Sequence, residues 1–292
     1  MNMKNFLLRF VVVALILLGT SCEKPYSAED EEGGSDIVID DKNNGDDTGN
    51  KGDKTDFVTV KFNIRSVERQ EGATVALRDV CQRLSFSVFD ADGERCNYQT
   101  ISQLRDDKDF GNVSISIAKG SYSFVFVAEN GEKAPTISKP TSITFRNNKL
   151  TDTYYYYGVF NVDAEKSYDI ALKCATAKLS FAVNDAVPSG IDRMEFYYTG
   201  GSSTLDATTG YGAVNSKQTE TRNVESAAHS GKSVYELYTI PHEDNKPLTL
   251  RVSAKAGDKA KYVRTVSEIK VERGVEAQFA LDFFGEDPEG GR

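Results

Sequence analysis

Arg83-Leu84-Ser85-Phe86-Ser87-Val88 and Lys178-Leu179-Ser180-Phe181-Ala182-Val183 are two copies of one pattern, and this repeat decides the fold. Each copy is a basic residue followed by apolar residues at alternate positions, which is typical of a β-strand with one buried face. Two further pairs of segments match in the same order, residues 122–131 with 248–257 and residues 168–172 with 277–281. Three matches in one order predict two tandem β-domains of one type.

The second copy is the longer one, because its matching segments lie further apart along the chain. Residues 199–231 are rich in Gly, Ser and Thr, which predicts a long mobile loop inserted there. We therefore expect an all-β chain with one domain at 56–173, a second at 174–285 that carries the loop at 199–231, and a polar tail at 286–292.

Short alternating runs separated by turn signals predict about seven strands in the first domain, as in a β-sandwich, and a similar series in the second. In the first domain the expected strands are residues 57–64, 83–89, 113–117, 122–128, 143–145, 154–160 and 168–172. In the second they are residues 179–183, 193–198, 234–240, 248–254, 262–266 and 277–284.

The N-terminus, residues 1–21, has the features of an export signal. Lys4 and Arg9 provide positive charge, and the apolar run that follows is too short to span a bilayer. Small residues then lead through Ser21 to Cys22. This arrangement resembles a bacterial lipobox, which implies cleavage between Ser21 and Cys22 and acylation of Cys22. The other interpretation is a plain secretory signal that ends in an incidental cysteine.

Residues 22–55 carry almost no apolar side chains apart from Ile37-Val38-Ile39. Twelve Asp or Glu stand against four Lys between Glu23 and Asp56, which accounts for most of the formal net charge of −9. Low hydrophobicity with high net charge predicts a disordered acidic linker that holds a domain away from a surface. The run of residues 40–45 lacks the ligand pattern of an EF-hand, so we expect no calcium site there.

Catalytic and cofactor patterns are absent from the sequence. There are two histidines, His229 and His242, and neither stands in a metal-ligand or triad spacing. No phosphate-binding glycine loop is found, and a pI near 5.0 disfavours nucleic acid. We expect a protein that acts by binding, with no catalytic residues, no cofactor and no metal.

Three cysteines remain after Cys22 is set aside: Cys81, Cys96 and Cys174. Export would permit a disulfide. The turn signal Asp92-Gly93 would place residue 96 opposite residue 89, which is out of register with Cys81. A Cys81–Cys174 pair would require the two to meet at the domain junction, so we expect buried free thiols.

Several soft motifs together resemble the fimbrillin-related lipoproteins of Bacteroidota, most closely the anchoring subunits of type V pili. They follow the lipobox and acidic linker and cover nearly the whole chain: residues 83–90, Gly120-Ser121-Tyr122, Tyr157-Gly158, residues 177–188 and residues 247–250. The resemblance implies two transthyretin-like β-sandwich domains. It also implies an outer-membrane lipoprotein, exposed at the cell surface, that binds other pilin subunits by strand complementation. A host or bacterial surface ligand is a further partner to expect.

A second hypothesis is a surface glycan-binding lipoprotein of a polysaccharide-uptake system. Its best feature is the run Tyr154-Tyr155-Tyr156-Tyr157, because exposed aromatic rings provide stacking platforms for sugars. If these tyrosines alternate on an edge strand, two are buried and two exposed as ordinary structure.

Stalk pilins of the family that the chain resembles are cleaved after a basic residue, which removes the first strand. Arg65 and Arg69 are the positions where such a cut would fall in this chain. We expect an uncleaved anchor instead, since the cut would release the lipid with the first strand. The tail at 286–292 also has no alternating apolar residues to donate to a partner.

Overall fold

The computed structural model describes residues 37–39, 56–70, 72–97 and 99–285. The export signal, Ser21, Cys22, the rest of the acidic linker and the tail at 286–292 lie outside these residues, so the hypotheses about them stay predictions. The described chain is almost entirely strand, which confirms the all-β prediction. None of its helices is long and apolar enough to cross a bilayer.

The first group of strands forms one continuous ladder. Its members are β1 (Ile37–Val38), β2 (Phe57–Gln70), β3 (Ala73–Ala76), β4 (Arg83–Phe89), β5 (Ile101–Leu104), β6 (Asn112–Ala118), β7 (Gly120–Glu129), β10 (Tyr154–Val162) and β11 (Lys166–Cys174). A one-turn helix, α1 (Leu77–Val80), precedes β4. The order is β1-β6-β2-β11-β10-β7-β4-β5, with β3 beside β2.

This ladder folds into two layers that enclose a core, because the pairing between β10 and β11 is short and lets the ladder bend there. Strands β10 and β11 pair only through Tyr154 with Cys174 and Tyr155 with Lys173. The two halves of the ladder face each other across a buried cluster, in which the Phe62 ring lies 4.8 Å from that of Phe124. The result is a sandwich whose two layers belong to one ladder.

The later strands form two sheets around a second buried cluster. One sheet has the order β17-β12-β20 and the other β16-β13-β18-β19. Their bounds are β12 (Ala177–Val183), β13 (Arg193–Thr199), β16 (Lys217–Asn223), β17 (Ser233–Thr239), β18 (Leu248–Ala256), β19 (Lys259–Ile269) and β20 (Glu276–Leu281). Every strand expected from the alternation is present, with ends shifted by a few residues.

A third, small sheet draws strands from both segments of the chain. It has the order β15-β14-β9-β8, from β8 (Thr136–Lys139), β9 (Ser142–Thr144), β14 (Thr204–Asp206) and β15 (Tyr211–Gly212). Beneath it lies a third buried cluster that includes Val127, Ile143, Leu205 and Ile240. The segments on either side of residue 174 therefore share a core, and the domain boundary there stays a prediction.

The prediction of a mobile loop at 199–231 is wrong. Strands β14, β15 and β16 and a 3₁₀ turn (Ser226–Ser230) lie within it, and Ser202, Ser203 and Leu205 are buried. The small polar residues are accommodated by hydrogen bonds, such as that from Ser202 Oγ to the Thr204 carbonyl, 2.8 Å long. A composition rich in Ser and Thr is compatible with a strand wherever the backbone ladder and local bonds satisfy its polar groups.

The three matched segments do not have the same partners in the two halves. Strand β4 pairs directly with β7, whereas the corresponding β12 pairs with β17 and β20, and β18 lies in the opposite sheet. Alternation indicates a strand with a buried face but does not determine which strands pair with it, because pairing depends on register and on the connections between strands.

Replacing Leu205 by Ala should lower the free energy of unfolding by about 3 kcal/mol, because a fully buried side chain leaves a cavity in the third cluster. Val214→Ala is the matched control, since Val214 lies in the same segment but is 49% exposed, and it should change stability by less than about 0.5 kcal/mol. Urea titration followed by circular dichroism measures both. Equal stability of the two variants would mean that the segment does not pack.

Candidate functional site

The tyrosine run is packed inside the structure and forms no exposed platform. Strand β10 pairs with β7 along its whole length but with β11 only at Tyr154 and Tyr155, so the edge-strand assumption is wrong for those two tyrosines and holds for Tyr156 and Tyr157. Tyr154 and Tyr155 are buried, and Tyr156 and Tyr157 are half-buried against the first and third clusters. The four rings therefore serve as core, and the second hypothesis loses its best feature.

Tyr154 is the buried member of a polar group at the end of the first sandwich, in which Asp152 is half-buried and Arg69 is exposed. Its hydroxyl donates to Asp152 Oδ2 at 2.8 Å, and Arg69 Nη2 lies 3.0 Å from the same oxygen. Burial, and then the charge of Asp152, raises the pKa of the Tyr154 hydroxyl. Burial likewise raises the pKa values of the Cys81 and Cys174 thiols, which are free and buried as expected. These thiols are held as neutral packing groups.

Tyr155 takes part in a clamp between the two segments of the chain. Arg273 Nη1 donates to the Tyr155 hydroxyl at 2.9 Å and to the Gly210 carbonyl at 3.2 Å. The same guanidinium lies 4.1 Å from the centre of the Tyr211 ring, a cation–π contact. Gly210 has a φ of +80°, and a Cβ there would overlap the Tyr155 hydroxyl, so only glycine fits this approach.

A polar groove of about 550 Å³ runs beside this clamp. Acidic Glu68 and Glu272 face basic Arg69, Lys173 and Arg273 in its lining. Charges of both signs leave no concentrated field for a charged ligand. We therefore assign it to the junction between the segments.

The two histidines have structural partners. His229 Nδ1 lies 2.8 Å from the Val187 carbonyl oxygen, and His242 Nδ1 lies 3.1 Å from that of Gly212. Within the described ranges no group of three His, Cys, Asp or Glu is placed to hold a metal ion. Binding surfaces must then be sought at the sheet edges.

A sheet edge offers unpaired backbone groups to another strand, and native edges are usually blocked by charge, side chains or shortness. Strand β19 carries exposed Lys259, Lys261 and Glu268 along its edge. Strand β5 has only four residues. These two edges are poor places for a partner strand.

The edge of β17 is occupied by side chains from the facing sheet. Arg222 Nη2 donates to the Glu236 carbonyl at 3.2 Å, and the Tyr198 hydroxyl donates to the Tyr238 carbonyl at 3.0 Å. Gln218 Nε2 reaches the same Tyr238 carbonyl at 3.4 Å. A partner strand would have to break these bonds before it could pair.

The edge of β6 differs, since it already accepts an added strand. Strand β1 pairs with it in parallel, Ile37 opposite Ile115 and Val38 opposite Ser116, and the Ile39 amide donates to the Ser116 carbonyl at 3.0 Å. Ile39 is only 5% exposed and joins the first buried cluster, while Val38 points outward and is 66% exposed. The apolar triplet of the acidic linker is therefore docked, which corrects the prediction of disorder at these residues.

The net free energy that holds β1 on β6 is small, as an order-of-magnitude estimate shows. Burying one isoleucine contributes about 2 kcal/mol, and each backbone hydrogen bond adds about 1 kcal/mol. Fixing each of the three residues costs about 1–2 kcal/mol of conformational entropy. The two sides nearly cancel, so the docking of β1 contributes little net free energy.

Asp185 is a residue whose role the sequence did not reveal. Its carboxylate accepts the amides of Phe283, Phe284 and Gly285 at 2.8, 2.6 and 3.0 Å. The segment after β20 is thereby fixed against the start of the second sandwich. Asp185 lies two residues after β12 and three before Pro188, which indicates a turn. The sequence does not indicate which groups its carboxylate binds.

Comparison with known proteins gives a consistent picture. The family model described as fimbrillin-A associated anchor proteins Mfa1 and Mfa2 matches residues 54–270. No curated protein matches the chain.

Two solved structures, one from Bacteroides and one from Porphyromonas, are similar to this chain. An adhesin candidate from Bacteroides ovatus is similar at 14% identity and a TM-score of 0.52, over 82% of this chain and 95% of that one. The fimbrial anchor protein Mfa2 from Porphyromonas gingivalis is 12% identical, over 71% of this chain and 82% of that one, with a TM-score of 0.43. The likeness to the Bacteroides ovatus structure shows the fold alone.

Asp185→Ala should lower the free energy of unfolding by about 2 kcal/mol, because three amides lose a charged acceptor beside the buried Phe283. Asp106→Ala is the control, since Asp106 is exposed on the turn after β5. Hydrogen exchange at residues 283–285, measured by mass spectrometry, should accelerate only in the first variant. Unchanged exchange there would contradict the role assigned to Asp185.

Proposed function

The chain belongs to the family of fimbrillin-A associated anchor proteins Mfa1 and Mfa2, and from that premise we propose that it is a non-enzymatic lipoprotein subunit that ends a fimbrium at the outer membrane. Its family assigns it a fimbrial or adhesin-like role at the cell surface. The finer proposal is that it holds other pilin subunits by strand complementation, in which a segment of one subunit extends a sheet of the next.

The observation that carries the proposal is the added strand on β6. A segment from outside the sandwich lies along a sheet edge and bonds to it through the main chain, from the Ile39 amide to the Ser116 carbonyl. Its inward side chain is buried in the core of the sandwich. Strand complementation needs these two elements, a free main-chain ladder and a place for alternate apolar side chains.

The proposal places the membrane end of the fibre at Cys22. Acylation of the thiol and of the new amino group would give the several acyl chains that stable anchoring needs. Strand β2 runs through Arg65 and Arg69, with a register shift at Arg65 against β11 and at Arg69 against β3, so support for an uncleaved form comes from the core and not from the ladder. Val60, Phe62 and Ile64 are fully buried in it, so removing the part before Arg65 would empty the first core.

Cys22→Ala should move the protein from the detergent-requiring membrane fraction to the soluble fraction without changing its unfolding midpoint. The reason is that only acylation at Cys22 is proposed to hold it on the bilayer. Cys96→Ala is the matched control, a half-buried cysteine in the folded part, and it should remain membrane-bound. Immunoblots of fractionated cells give the answer, and a Cys22→Ala protein still requiring detergent would refute the lipid anchor.

The immobilised protein should capture fimbrial subunits of its own bacterium, identified by mass spectrometry, and should keep them in 1 M NaCl. A main-chain ladder with buried apolar side chains resists salt, whereas contacts between exposed charges are screened. A glycan array probed with the same protein tests the competing function. Glycan binding without capture of any fimbrial subunit would overturn the proposal.

A further inference from the structure

A pocket of about 270 Å³ lies between the turn after β7, the turn after β9 and strand β16. We propose that it binds an anionic sugar unit, a hydroxylated ring that carries one carboxylate or phosphate group. The pocket is separate from the tyrosine run, since none of those four residues lines it. The inference does not depend on the proposed fimbrial function.

The rim of the pocket is positively charged. Lys133, Arg146 and Lys149 line it and are exposed, against one exposed acid, Glu132. Among the described residues no ion pair involves any of the three basic side chains. Cationic groups of this kind raise the local concentration of anions, and the planar fork of an arginine matches a carboxylate or a phosphate. The rim is therefore suited to the anionic group of a ligand.

Two buried carboxylates also line the pocket, and their charges are already balanced. Glu129 and Glu220 are 3% and 4% exposed. Glu129 Oε1 lies 3.5 Å from Arg83 Nε, and Glu220 forms an ion pair with Arg222. Because each carboxylate has its own arginine, neither cancels the positive charge of the rim.

The rest of the lining offers contacts for a sugar ring. Asn130, Asn147 and Thr151 provide amide and hydroxyl groups, which can bond to ring hydroxyls. Phe145 and Leu150 add apolar surface for the C–H face of a ring. The volume lies just below the range of about 300–1,000 Å³ that holds drug-sized ligands, so a ligand of one sugar unit fits. A bare anion would contact the rim and leave these groups unused.

The turn that carries much of the rim is fixed before any ligand binds. It is the 3₁₀ turn Arg146–Asn148, and Phe145 and Leu150 on either side of it are buried in the third cluster. Asn147 and Asn148 have φ values of +57° and +55°, in the left-handed region that asparagine adopts more readily than most residues. A rigid turn avoids the entropy cost of ordering the site when a ligand binds.

Isothermal titration calorimetry on the full chain tests the pocket with matched small ligands. The anionic probes are methyl β-D-glucuronide and glucose 6-phosphate. The methyl ester of the glucuronide keeps every hydroxyl and loses the charge, whereas acetate and inorganic phosphate keep the charge and lose the ring. At least one anionic sugar should bind about ten-fold more tightly than all three controls. Preference for the glucuronide indicates an acidic polysaccharide as the source, and preference for the phosphate indicates a phosphorylated headgroup sugar.

Arg146→Glu should weaken binding of the preferred sugar by about ten-fold, because it reverses a charge at the rim. Lys139→Glu is the matched control, since it makes the same charge change at an exposed base of β8 outside the pocket, and it should leave the affinity unchanged. Asn147→Gly should weaken binding about five-fold by removing an amide, while glycine accepts the left-handed backbone. Thermal unfolding midpoints close to that of the wild type confirm that the variants are folded.

Binding of acetate or inorganic phosphate as tightly as the sugars would overturn the proposal, since the rim alone would then be recognised. So would equal affinity of the Arg146→Glu and Lys139→Glu proteins, or the absence of binding by both anionic sugars. A loss of fimbrial-subunit capture confined to Arg146→Glu would assign the pocket to a protein partner and overturn the sugar site. Failure of the wild type to capture fimbrial subunits, with sugar binding as expected, would refute the proposed function and leave the sugar site standing.

Discussion

A β-sheet must dispose of the backbone groups along its edges, and this constraint organises the whole molecule. The first ladder joins its two layers only at Tyr154 and Tyr155, where β10 pairs with the end of β11. The β17 edge is closed by Arg222, Gln218 and Tyr198 from the facing sheet. On β6 the solution is different, because a short piece of the same chain lies there and is held by little more than one buried isoleucine.

The strands were predictable because each buried face leaves a trace in the sequence. In Arg83–Phe89, Leu84, Phe86 and Val88 are buried as the alternation predicts, but Ser85, Ser87 and Phe89 on the other face are buried too, so the prediction of a single buried face is wrong for this strand. Phe89 belongs to the third cluster, which the sequence did not reveal. The pairing of strands was not predictable, because alternation is the same whether a strand meets its neighbour in the chain or one a hundred residues away. The ordered segment at 199–231 was missed for another reason: its Ser and Thr are satisfied by hydrogen bonds, and its buried apolar residues, such as Leu205, are too widely spaced to form a hydrophobic pattern.

The candidate site was only half visible in the sequence. Ile37-Val38-Ile39 stood out as the one apolar triplet in an acidic stretch, yet nothing indicated that Ile115 and Ser116 would receive it. The tyrosine run suggested an exposed platform for sugars. In the structure its rings pack against the core, and the Tyr155 hydroxyl contacts Arg273. A residue's partner depends on long-range contacts, so aromatic content alone does not distinguish a ligand platform from packing.

The position of β1 also sets the mechanical reach of the proposed anchor. With β1 docked, the chain between Cys22 and the first sheet residue, Ile37, spans at most about 50 Å when fully extended. With β1 released, the first sheet residue is Phe57 and the limit rises to about 120 Å. If Cys22 carries the proposed lipid, the docking of β1 would therefore shorten by more than half the distance that the folded part of the chain can reach from the bilayer.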